Sequence, residues 1–71
     1  MDQETFNLSI RRFLKKVGIS SQREIEHAVE KALENGTLQG NETFQAKMRL
    51  EVPDLEIEME FEGEITLEQP R

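Results

Sequence analysis

The apolar residues of this 71-residue chain change their spacing once, between Gly36 and Gly40, and that change limits the folds open to it. Before it they recur at helical intervals. Phe6, Ile10, Phe13, Leu14 and Val17 follow an i, i+4, i+7, i+8, i+11 stripe. Ile25, Ala28, Val29, Ala32 and Leu33 repeat the pattern. After it the period is two. Phe44, Ala46, Met48, Leu50 and Val52 alternate with polar residues, as do Leu55, Ile57, Met59, Phe61, Ile65 and Leu67. Such alternation marks half-buried strands.

Punctuation residues divide these stretches further. Gly18 follows Val17 at once and suits a left-handed helix cap, with Lys15 and Lys16 in the preceding turn. Ser21-Gln22-Arg23-Glu24 reads as a capping box. The expectation is therefore two helices, about 3–17 and 21–35, forming a helical hairpin over 3–35. Pro53-Asp54 supplies turn chemistry for a β-hairpin over 43–68. Facing Val52 with Leu55 gives the pairs Leu50–Ile57, Met48–Met59, Ala46–Phe61 and Phe44–Gly63. On the wet face it sets Arg49 against Glu58, Lys47 against Glu60, and Glu51 against Glu56, a like-charge conflict. Proline also cannot supply the positive φ of two-residue hairpin turns, so a bulge or longer loop near 53–55 could shift the register by one. Gln69-Pro70-Arg71 reads as a frayed end.

The predicted fold is α+β, in the order ααββ, as a single domain over 1–71. Two N-terminal helices are expected to pack on one face of an antiparallel hairpin. A chain this short buries only about 60% of the surface its unfolded form exposes. Long hairpin strands also leave free edges that invite pairing. A homodimer with a joined or stacked sheet is the expected assembly.

Composition narrows the function classes. There is no cysteine, so disulfides and thiolate metal sites are excluded. No apolar run reaches the roughly 18 residues of a membrane span, and the acidic start Met1-Asp2-Gln3-Glu4 is unlike a secretory signal. A cytoplasmic location is expected. Residues 1–36 balance six basic against six acidic side chains, whereas 37–71 carry three against nine. The net charge of -6 thus sits in the second half and disfavours nucleic acid and anionic membranes as partners.

Four groups of residues are candidate sites. Val17-Gly18-Ile19-Ser20 between two helices resembles a helix-turn-helix, but the second helix carries Glu24, Glu26, Glu30 and Glu34 where base-reading residues would be needed. The cluster Arg11, Arg12, Lys15, Lys16 and Arg23 could dock an acidic partner or a neighbouring subunit, or be a solvated face. His27 with Glu24 and Glu30 falls short of the converging ligands that a metal needs. The row Glu56, Glu58, Glu60 and Glu62 reads as a solubilising strand face. No nucleophile–base pair and no glycine-rich phosphate loop is present. A non-enzymatic interaction or regulatory module without cofactor is expected, with an unidentified protein partner. The alternatives are a small nucleic-acid-binding regulator using the N-terminal half and, more weakly, a metal- or ligand-binding accessory protein.

The run Thr5-Phe6-Asn7-Leu8-Ser9-Ile10-Arg11-Arg12-Phe13-Leu14-Lys15-Lys16-Val17-Gly18-Ile19-Ser20-Ser21-Gln22-Arg23-Glu24-Ile25-Glu26 resembles a family of short bacterial proteins of uncharacterised function. The similarity continues through Ala28-Val29, Ala32-Leu33, Gly36, Leu38, Gly40, Ala46-Lys47-Met48 and Gly63-Glu64-Ile65. The resemblance implies a stand-alone cytosolic bacterial domain. It carries no activity, cofactor or catalytic residue.

Overall fold

A computed structural model describes residues 1–69; the expected fray at Pro70 and Arg71 lies outside the described residues. The chain forms two compact units, Met1–Thr37 and Leu38–Arg71. The first is one α-helix, α1 (Gln3–Glu34). The second is a two-stranded antiparallel sheet of β1 (Thr43–Val52) and β2 (Ile57–Thr66), joined by a 3-10 turn at Pro53–Leu55. The α+β class stands, but the order is αββ rather than ααββ.

The expected break between two helices does not occur. Gly18, Ser20 and Ser21 all lie inside α1, and Gly18 does not take the left-handed conformation expected of a cap. The reason is energetic. A glycine inside a helix costs about 1 kcal/mol relative to alanine. Ending one helix and starting another would strip up to four carbonyls and four amides of their intrahelical partners. Helical spacing also carries across the gap, with Val17, Ser21 and Ile25 at i, i+4 and i+8. Inside the helix the expected capping box gives way to another contact, in which Gln22 Nε2 donates to Glu26 Oε1 at 2.8 Å.

The true ends are well signalled. At the start, Asp2 Oδ1 accepts from the Glu4 and Thr5 amides at 3.0 and 3.4 Å, and Thr5 Oγ1 donates to Asp2 Oδ2 at 2.7 Å. At the finish, Gly36 takes φ 79°. Its amide donates to the Leu33 carbonyl at 3.3 Å, and the Thr37 amide donates to the Ala32 carbonyl at 2.9 Å. This crossed pair is a Schellman motif, and a left-handed glycine is its usual pivot.

The hairpin register differs from expectation by two residues. Val52 pairs with Ile57, Leu50 with Met59, Met48 with Phe61, Ala46 with Gly63 and Phe44 with Ile65. The turn is the cause. Pro53 opens the 3-10 turn, where its fixed φ is welcome, and the positive φ falls on Glu56 at 56°. Glu56 N donates to the Pro53 carbonyl at 3.1 Å. A four-residue loop thus removes Leu55 from the strand and leaves it 67% exposed. A shift by two preserves which side chains share a face, whereas a shift by one would have inverted them. Phe44 therefore does not cover Gly63 as expected. Nor does β2 overhang β1, since Thr43 pairs with Thr66.

Two substitutions probe this backbone. Gly18→Ala is expected to stabilise α1 by about 1 kcal/mol, because a methyl there would meet nothing within 4 Å. Thermal melting followed by far-ultraviolet circular dichroism checks it; a lowered melting temperature would point to a break at Gly18. Glu56→Gly is expected to stabilise the hairpin by about 1 kcal/mol through relief of the left-handed conformation, read as an increased denaturant midpoint.

Candidate interaction surfaces

Each unit presents an apolar face without a core. Among the described residues none is buried. On α1, Phe6, Ile10, Phe13, Leu14 and Ile25 remain 39–55% exposed. Val17, Ser21, Val29 and Ala32 are intermediate. On the hairpin the alternating pattern and register place Phe44, Ala46, Met48, Leu50 and Val52 beside Ile57, Met59, Phe61, Gly63 and Ile65 on one face. The pair Ala46–Gly63 forms a low waist between the bulkier Phe44–Ile65 and Met48–Phe61 pairs.

Arg11, Arg12, Lys15, Lys16 and Arg23 all fall on the single helix. At 3.6 residues per turn they occupy an arc of about 140° opposite Val17 and Ser21. All five are exposed, and among the described residues none has an ion-pair partner. The helix-turn-helix expected around Gly18 is absent, because there is no turn between a first and a second helix. The nucleic-acid reading built on that motif is withdrawn with it. His27 lines a shallow surface hollow with Glu24, Ala28, Glu30, Lys31 and Glu34. Among the described residues no group of three or more metal-ligating side chains converges.

The acidic row is more neutralised than the sequence suggests. Lys47 Nζ lies 3.8 Å from Glu62 and 3.9 Å from Glu60. The register faces Glu51 with Glu58, a like-charge pair. Arg49 relieves it. Its Nε sits 2.7 Å from Glu51 Oε1, and its Nη2 donates to Glu58 Oε1. One guanidinium thus bridges both carboxylates, using the forked geometry that lysine lacks. Gln45 Nε2 donates to Glu64 Oε1 at 3.2 Å. Glu56 leaves the row for the turn.

Glu42 is the structured residue that sequence reasoning missed. Its Oε2 accepts from the Gln39 amide at 2.9 Å, and its Oε1 accepts from Gly40 and Asn41 at 2.9 and 3.1 Å. Three successive amides aimed at one carboxylate hold the loop closed, with Gly40 at φ 105°. These amides, Gln39 foremost, hold the Glu42 carboxyl below its ordinary range. Asp2 is also lowered, chiefly by the Thr5 hydroxyl and then by the Thr5 amide. The Gly40-Asn41 turn chemistry ahead of Glu42 was the available signal.

The chain belongs to a family of unknown function, DUF6494, whose model matches residues 1–68. No curated protein and no solved structure matches it. No helix among the described residues is long and apolar enough to cross a membrane.

Both lowered carboxyls stabilise the fold only while ionised. Their contribution is present above the unfolded-state value and is lost as pH falls through the folded one. Acidification through the carboxylate range is expected to fray the start of α1 and loosen 39–42. In NMR titrations the Gln39, Gly40 and Asn41 amides should move with Glu42. In Glu42→Gln that movement should vanish.

Proposed function

We propose that this member of the family is a non-enzymatic protein-interaction module whose apolar faces are completed by another copy of the same chain. The observation that supports this reading is the absence of any buried residue among those described, alongside continuous apolar faces on both units. Apolar surface removed from water contributes roughly 25 cal/mol per Å2, so large exposed apolar side chains aligned along one element favour association. Isolated exposed residues are common and carry no such meaning. Here the apolar residues are aligned, by helical stripe on α1 and by register on the hairpin.

The hairpin strengthens the case. A two-stranded ribbon is marginal alone in water and needs a layer against its apolar face. A regulatory role would follow if formation of the homodimer hid or presented the basic face of Arg11, Arg12, Lys15, Lys16 and Arg23. That face is suited to an acidic protein partner and sits opposite the apolar stripe, so both could be engaged at once. The acidic balance of residues 37–71 argues against nucleic acid as that partner.

Size-exclusion chromatography with light scattering tests the reading across a hundredfold range of concentration. The expected mass is twice the 8.3 kDa of one chain. A mass of one chain throughout, with a cooperative thermal transition, would overturn it.

A further inference from the structure

We infer that α1 pairs with α1 of a second copy in antiparallel fashion, about a twofold axis passing beside residue 19. The inference rests on the self-association proposed above and specifies its geometry. It comes from the order of side-chain sizes and charges along one uninterrupted helix.

The apolar stripe of α1 repeats at eleven residues. Phe6, Val17 and Ala28 form one series, and Ile10, Ser21 and Ala32 form another. Eleven residues make close to three turns, so the stripe stays on one side of a nearly straight helix or one with slight right-handed supercoiling. Its first half is bulky, with Phe6, Ile10, Phe13 and Leu14. Its second half carries Ile25 but is otherwise small on that side, with Ala28 and Ala32, while Val29 and Leu33 rotate away from it. Parallel pairing in register would stack bulky on bulky at one end and alanine on alanine at the other. The axes would then splay at the first end and leave voids at the second.

Antiparallel pairing about residue 19 spreads the bulk along the pair. Phe6 meets Ala32, Ile10 meets Ala28, Phe13 meets Ile25, and Val17 meets Ser21. Phe6 and Ile10 then face alanines, Phe13 faces Ile25 and Leu14 meets Glu24, so bulk is shared between the two ends of the pair. Interaxial distances of 8–10 Å are set by the side chains at the contact. Val17 and Ser21 at the crossing, with Gly18 at its border and nothing within 4 Å of a Cβ there, permit a close approach.

Charge selects the same direction. Residues 5–23 carry five basic side chains, Arg11, Arg12, Lys15, Lys16 and Arg23, and no acidic one. Residues 24–34 carry Glu24, Glu26, Glu30 and Glu34 against Lys31 alone. A parallel pair would set basic half against basic half. The antiparallel pair aligns each basic half with the acidic half of its partner along the axis; because most of these side chains lie away from the stripe, the effect is long-range steering of the encounter, with no ion pairs across the contact. Two independent patterns, bulk and charge, thus favour one isologous contact.

The test uses the full chain, which has no native cysteine, with a nitroxide label on one cysteine at a time. Ser9→Cys, Ser20→Cys and Glu30→Cys place labels on exposed positions outside the stripe. At 1.5 Å rise per residue, antiparallel pairing separates the two labels along the axis by about 30 Å at position 9, about 3 Å at 20 and about 33 Å at 30. Pulsed dipolar spectroscopy should give a short distance at 20 alone. Short distances at all three would mean parallel pairing, and long distances at all three would mean association through another surface. Either result overturns this geometry while the dimer of the preceding section stands. A single-chain mass overturns both. A layer swap adds a second reading. Ile10→Ala or Ala28→Ile alone should weaken association at least tenfold with helicity retained, and the double variant should restore it. Failure of the double variant to recover would sink the assigned register.

Discussion

Everything in this molecule follows from having one layer in each unit. A single helix and a two-stranded ribbon each possess one apolar face and nothing of their own behind it. Hydrogen bonds run along the helix and across the inner seam of the ribbon, so backbone geometry is well specified without a core. What remains exposed on each unit is its apolar surface. Backbone order and apolar burial, which most domains achieve together, are separated here: the described residues have the first and none of them is buried.

Electrostatics works within that arrangement rather than creating it. Exposed ion pairs contribute little individually, yet their placement on the ribbon is not random. Arg49 sits where register forces Glu51 and Glu58 together, and Lys47 sits between Glu60 and Glu62. Two cations therefore serve four carboxylates on the wet face, which lessens strand repulsion without making that face apolar. On α1 the basic side chains have no such partners among the described residues. The ribbon's charges are largely occupied, and the helix's basic charges are left available.

The sequence announced the α+β class, the helix start at Gln3, the glycine-capped helix end and both strand faces. Periodicity carried all four, because helical and strand spacing are dictated by geometry that tertiary context seldom overrides. Two features were misread. Gly18 and Ser21 look like a stop and a start, but each is only a weak preference, and together they lose to the cooperative bonding of a continuous helix. The hairpin register depended on loop length, and no pattern in Pro53-Asp54-Leu55-Glu56 says that a glutamate will take the left-handed position usually given to glycine or asparagine. The basic side chains named from sequence do share one helix face. Gly40-Asn41 marked a loop over 37–42, but the hold of the Glu42 carboxylate on it was not legible, because bonds from a side chain to main-chain amides leave no periodic trace.

The equal length of β1 and β2 has a further consequence. In an antiparallel ribbon, alternate residues direct their amide and carbonyl inward to the neighbouring strand, and the others direct them outward to water. With ten residues in each strand and no overhang, both outer rims are complete combs of unpaired donors and acceptors. Hydrogen exchange along each strand will therefore beat with a period of two, slow and fast by turns. The ribbon carries its own recorder of edge occupancy: any strand laid against either rim would silence the fast half of that rim, residue by residue.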